Sequence, residues 1–263
     1  MPDKQNWESQ KFLAREEGLM TCILDMGEML LTSGAEVRRV EDTINRLCQV
    51  YDFVRVDVFT ITSSIVLTVR TPGGRILTQT RRILARDTDL GRVEKVNALS
   101  RRLCAKPESL AVFQQEVARL RQPGTYSIRV QRIMYILISA AFCLFFGGSL
   151  ADSLAAGISG LVLFQTLLLS KPLRLNGTLQ CILASFVTGI SIVLLYWLGL
   201  GIHPDKISMG NIMLLIPGIA FTTALRDIIN GDTLAGVLGL CEAILRALAV
   251  AIGFAAMLML TGG

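Results

Sequence analysis

The chain is poor in the residues that most enzyme chemistry uses. Its 263 residues include a single histidine, His203. A Ser–His or Cys–His nucleophile pair is therefore excluded from the N-terminal half. Neither GxxxxGK[ST] nor GxGxxG occurs, so no phosphate-cradling loop is indicated. The six cysteines (Cys22, Cys48, Cys104, Cys143, Cys181, Cys241) are scattered without a CxxC pair. That speaks against a disulfide framework and against a zinc site, and they read as small core or lipid-facing residues. The first 20 residues hold Asp3, Lys4, Glu8, Lys11, Arg15, Glu16 and Glu17 and no apolar run, so no secretory signal is expected. Nothing calls for a metal or cofactor.

Charge is scarce in the second half of the chain. Residues 1–132 hold 21 of the 26 Lys+Arg and 16 of the 21 Asp+Glu, a surplus of five positive charges. Residues 133–263 hold five of each and are mostly apolar. We expect a membrane protein in two parts: a cytosolic α+β domain over residues 1–125 and an all-α transmembrane domain over 126–263.

In the first part, Phe12, Leu19, Ile23, Met26 and Leu30 recur at helical spacing over 8–31. The helix stops at Thr32-Ser33-Gly34. Ser33 and Glu36 stand at the spacing of a capping box for a second helix, whose apolar face is Val37, Val40, Ile44, Leu47 and Val50. Three β-branched runs follow, 54–61, 64–70 and 75–80, the last two joined by Thr71-Pro72-Gly73-Gly74. They read as a small antiparallel meander packed on helices. Two more helices are expected at about 89–105, with Asp89 as N-cap, and 108–121, near Pro107. Gln122-Pro123-Gly124 would be the link to the membrane. The pairs Arg38-Arg39, Arg81-Arg82 and Arg101-Arg102 fit a solvated face beside anionic lipid, and no nucleic-acid partner is expected. Glu36, Arg39, Glu41 and Asp57 are the polar candidates of this domain. A carboxylate dyad among Glu36, Glu41 and Asp57 stays open beside an ordinary capping or surface role.

The second part has five apolar segments of membrane-spanning length, about 130–148, 151–169, 177–199, 208–225 and 234–260. Arg129 and Arg132, then Lys171 and Arg174, then Arg226 place positive charge on alternate loops, which predicts a cytoplasmic N-terminus and an outer C-terminus. Asp152 reads as a helix cap in an outer turn. The fourth segment carries Pro217-Gly218. Proline cannot donate a backbone hydrogen bond, and backbone groups freed in lipid must be satisfied by protein, ions or water. Broken helices of this kind line transporter sites; a plain proline kink is the other reading. Asn211 precedes the break, and Thr222, Thr223 and Arg226-Asp227 follow it. Arg226 and Asp227 do not face one another on a helix, so each needs another partner. Glu242 and Arg246, spaced i, i+4, share one face of the fifth helix. They are either intramembrane functional charges or an interfacial ion pair.

Several stretches together carry a family resemblance. LLTSGAEVRRVEDTINRL (residues 30–47), VDVFTITSSIVLTV with GRILTQTRRI (56–83), RVEKVNALSR (92–101) and NIMLLIPGIAFTTALRDIINGDTLAGVLGLCEAIL (211–245) resemble the threonine/serine exporter family. The resemblance covers roughly residues 15–260. It implies export of small amino acids or related carboxylic acids driven by an ion gradient. Some members carry two membrane halves in one chain, so this chain resembles the larger component of a two-component version, completed by a small membrane protein similar to the second half. Two-component relatives are associated with dicarboxylate (succinate-type) export.

The function expected is thus a subunit of a cytoplasmic-membrane secondary exporter, not an enzyme, with homo-oligomerisation open. Asn211, Pro217, Gly218, Thr222, Thr223, Arg226 and Arg246 are the candidate substrate contacts, and Asp227 and Glu242 the candidate ion-coupling groups. The competing readings are a membrane-tethered enzyme with its active site in the cytosolic domain, and a regulatory or structural membrane subunit.

Overall fold

The computed structural model describes residues 3–122, 126–173 and 175–261, with side chains from residue 13 to 260 within those ranges. The expected Pro123-Gly124 link, the Arg174 anchor and the side chain of Phe12 lie outside the described residues. The chain forms two compact units. The first is Met1–Gly124 with Ile219–Leu240, and the second is Thr125–Gly218 with Cys241–Gly263.

The first unit opens with α1 (Asp3–Thr32) and α2 (Val37–Val50). Met20, Ile23, Leu24, Met26, Leu30 and Leu31 of α1 are fully enclosed or nearly so, as are Val37, Val40, Ile44 and Leu47 of α2. Each such side chain contributes about 1.5–3 kcal/mol by leaving water. The strands β1 (Arg55–Ile61), β2 (Ser64–Arg70) and β3 (Ile76–Arg82) form an antiparallel sheet in the order β1-β2-β3. Ile61 pairs with Ser64 and Ser64 with Arg82. Ile65, Leu67 and Val69 of the central strand face the core while Val66 and Thr68 alternate outward, the period-2 pattern of a half-buried sheet. The third strand runs two residues beyond the expected 75–80, because Arg81 and Arg82 still pair with Ile65 and Ser64. α3 (Leu90–Ala105) begins as expected at Asp89, whose side chain accepts the Arg92 N–H. α4 (Leu110–Arg121) starts three residues after Pro107, at the Ser109 N-cap. This unit also takes in α9 (Gly218–Ile229) from Ile219 onward and the first turns of α10 (Thr233–Thr261).

The second unit holds α5 (Ile128–Phe145), α6 (Leu150–Ser170), a 3-10 turn (Lys171–Leu173), α7 (Gly177–Trp197), α8 (Pro204–Leu215) and the remainder of α10. Small residues let these helices approach closely, as in helix packing within membranes. A Cβ on Gly160 would come 2.7 Å from Ser139 Cβ, and one on Gly210 would come 2.5 Å from the Ser139 carbonyl. Cys143, Ala155, Ala156, Ile192, Ile207, Val250, Phe254 and Met257 make the core. Among the described residues four helices are long and apolar enough to cross a membrane, or up to five if the interrupted pair α8 and α9 is one span.

The expected fourth segment, 208–225, falls within that pair, whose helices begin at Pro204 and end at Ile229 with a break at Ile216 and Pro217. Pro204 sits at the first turn of α8, where its missing N–H costs nothing. Ile216, with ψ 125°, is extended, as the residue before a proline prefers. The helix therefore stops at Leu215 and restarts at Gly218.

Candidate functional site

Between α1 and α2 the chain turns through Gly34, whose φ of +87° favours glycine; a Cβ there would also press on the Asp87 carbonyl at 3.3 Å. Glu36 then stands at the N-cap of α2. The expected Ser33/Glu36 capping box does not form. Among the described residues Glu36 makes no side-chain cap bond and the buried Ser33 hydroxyl has no partner. Two side chains of α9 take over this helix start. The Val37 N–H donates to Asp227 Oδ1 at 3.1 Å, and Arg226 Nη1 pairs with Glu36 Oε1. The physical reason is that a helix start offers unpaired N–H groups and a positive dipole end. A carboxylate 190 residues away meets both needs. Asp227 is buried at 2% exposure while Arg226 reaches along the surface. The two neighbours, which cannot face one another, thus both contact one helix terminus.

One turn further along α2, Glu41 Oε1 accepts the Thr60 N–H at 2.8 Å and ties α2 to β1. Burial pushes the Glu41 carboxyl above the usual carboxylate range, the Thr60 N–H pulls it back, and the negative Asp232 adds to the rise. Asp232 closes the turn after α9, where Gly231 has a φ of +96° and the Asp232 N–H returns to the Asp227 carbonyl at 2.9 Å. Glu36, Val37 and Glu41 therefore form one polar junction with Arg226, Asp227 and Asp232 within the first unit.

The other candidate residues stand apart from it. Asp57 pairs with Arg55 at 2.9 Å, both more than half exposed. Arg39 lines a cleft between α2 and α3. Thr222 is exposed and Thr223 half-buried on α9, whose inward face is Ala224 and Asp227. At Pro217-Gly218, the Gly218 N–H returns to the Ile216 carbonyl at 2.9 Å, and a Cβ on Gly218 would meet nothing within 4 Å. In the second unit, Asn211 is fully buried. Its Nδ2 donates to Ser159 Oγ at 2.7 Å and to the Ile207 carbonyl at 3.0 Å, and its Oδ1 accepts from Ser139 Oγ at 2.7 Å. Both ends of the amide are occupied in joining α5, α6 and α8. On α10, Glu242 is exposed and Arg246 half-buried, and no ion pair joins them among the described residues.

Asp152 does more than cap α6. Besides its capping box with Ser149, Oδ1 accepts the N–H groups of Ile202 and His203, and Oδ2 lies 2.9 Å from His203 Nδ1. The carboxylate is fully buried and folds the loop before α8 onto the start of α6. The pairing of an acid in an apolar half with the chain's single histidine was the available signal. Among the described residues no group of three or more His, Cys, Asp or Glu could hold a metal ion.

Comparison with known proteins agrees with the resemblance in the sequence. The family model ThrE, described as "Putative threonine/serine exporter", matches residues 21–261. No curated protein and no solved structure matches. The family is one of membrane exporters, with which the four to five apolar helices are consistent. With nearly the whole length matched, the chain belongs to the threonine/serine exporter family ThrE.

Proposed function

We propose that the chain is one subunit of a secondary exporter in the cytoplasmic membrane that moves a small amino acid or a small carboxylate outward. Its N-terminus is cytoplasmic in this reading, its C-terminus is outside, and a small membrane protein similar to the second half of single-chain members completes the pathway. The observation that carries the reading is the junction of Glu36 and Val37 with Arg226 and Asp227. The helix that follows the Pro217 break is held at its far end by one ion pair and one helix cap, both electrostatic and both reversible. A latch of this kind suits an element that must shift during transport.

In this proposal Pro217 and Gly218 at the break, and the Thr222 and Thr223 hydroxyls of α9, are the candidate contacts for the substrate carboxylate. Arg226 is shared between the latch and the substrate's negative charge. Asp227 and Glu242 are the proposed proton or cation sites, and Arg246 a secondary contact for a carboxylate. Asn211 is not assigned to substrate, since its amide is fully engaged in packing. The deciding experiment measures efflux of threonine, serine and succinate from cells producing the chain with its small partner. Charge reversal in Glu36→Arg or Arg226→Glu should abolish efflux, and the double exchange should restore it in part. Efflux indifferent to either single reversal would remove the latch from the mechanism.

A further inference from the structure

The facing sides of α2 and α3 flank an open cleft of about 300 Å³ lined by Arg39, Asp42, Thr43, Arg46, Asn97, Ser100 and Arg101, with Arg39 and Arg101 exposed at its edges. The spacing explains the lining. Arg39, Asp42, Thr43 and Arg46 recur on one face of α2, and Asn97, Ser100 and Arg101 on one face of α3. Three guanidinium groups meet one carboxylate. Asp42 is already paired with Arg46 at 2.9 Å, one helical turn away. Among the described residues neither Arg39 nor Arg101 forms an ion pair, so two positive charges stand uncompensated across the cleft. Ser100, 7% exposed, adds a hydroxyl to the lining. Thr43, 6% exposed, donates to the Arg39 carbonyl at 2.8 Å, one turn back in the same helix.

A hydroxyl, an amide and two guanidinium groups without an ion pair surround one space, and its one carboxylate, Asp42, is taken up by Arg46, so positive charge is in excess there. Guanidinium forks match the oxygen spacing of carboxylate and phosphate groups. The volume lies at the lower end for small-molecule sites. We infer that this cleft binds a compact dianion, held between Arg39 and Arg101 with Ser100 and Asn97 as further donors. The two sources of such a group are a phosphorylated small molecule and a dicarboxylate. The inference does not depend on the export reading, because the site lies wholly within the first unit and away from the junction of Glu36 with Arg226.

The test is calorimetric titration of the full chain in an uncharged detergent with sodium phosphate, and separately with sodium succinate. Sodium chloride at matched ionic strength is the reference. Saturable binding of either dianion at the cleft, one per chain, is expected, the cleft's share of any succinate binding being the part lost in Arg39→Gln/Arg101→Gln. Binding of phosphate alone identifies a phosphorylated ligand, of succinate alone a dicarboxylate, and of both a site that reads charge; all three support the inference. Loss of one charge-assisted hydrogen bond weakens binding by about tenfold or more, so Arg39→Gln and Arg101→Gln should each do so. Asn97→Asp, nearly isosteric, adds a second carboxylate to the cleft and should abolish binding there with the fold retained by circular dichroism. Binding no stronger than chloride, or undiminished in the double Arg39→Gln/Arg101→Gln variant or in Asn97→Asp, overturns it.

Discussion

Removing the Asp227 carboxylate tests the junction most closely. The Val37 N–H at the start of α2 is buried and has Asp227 Oδ1 as its acceptor at 3.1 Å. Asp227→Ala leaves that donor unpaired, which costs about 1–3 kcal/mol, and also removes a negative charge from a helix N-terminus. Asp227→Asn keeps an oxygen acceptor and loses only the charge, about 0.3–1 kcal/mol. Hydrogen exchange followed by mass spectrometry, on the full chain in detergent, reads this locally. In Asp227→Ala the amides at the start of α2 should exchange roughly 5–150-fold faster, the factor that corresponds to 1–3 kcal/mol. In Asp227→Asn the change should be about fivefold or less. Wild-type protection in Asp227→Ala would refute the cap. Equal damage from both variants would show that the charge, and not the hydrogen bond, holds the helix start. With protection largely kept in Asp227→Asn, loss of efflux in that variant would assign Asp227 to coupling and not to folding.

Further outcomes follow from the same structure. Glu41 holds its proton more tightly folded than unfolded, because burial raises its carboxyl. Its contribution to stability is therefore greatest at acid pH and is lost as pH rises through its folded value. Thermal unfolding should show a shallower decline with pH in Glu41→Gln than in the wild type. Asn211→Ala should destabilise the second unit by about 1–3 kcal/mol, since the buried Ser139 hydroxyl loses its acceptor. It should lower the melting temperature and yield without changing the efflux KM of the protein that survives. Gly210→Ala forces a methyl against the Ser139 carbonyl and the Cys143 backbone, at a cost of about 1–3 kcal/mol, visible as a lower melting temperature. Glu242→Gln should reach the membrane in normal amount and fail to export; wild-type efflux would remove Glu242 from coupling.

Much of the first unit can be read from the chain because its patterns are local. The helical spacing of Val37, Val40, Ile44 and Leu47, the alternation through Ile65, Leu67 and Val69, and the Asp89 cap each depend on neighbours a few residues away. The expected Ser33/Glu36 box failed for the opposite reason. Local spacing was right for a cap, but Arg226 and Asp227 compete for the same groups from far along the chain. Asn211 illustrates the same limit, since a polar residue in an apolar run looks like a ligand contact until Ser139 and Ser159 are seen on either side of it. Proline chemistry made the interruption near Pro217 legible. It did not reveal that the helices on its two sides extend to Pro204 and Ile229.

The most direct measurement of the central claim is export itself. Cells loaded with labelled threonine, serine or succinate, producing the chain together with its proposed small partner, should release at least one of these faster than cells without the chain. Release should fall to background in Arg226→Glu and recover in part in the Glu36→Arg/Arg226→Glu exchange. Background release of all three from cells in which both proteins reach the membrane would contradict the account.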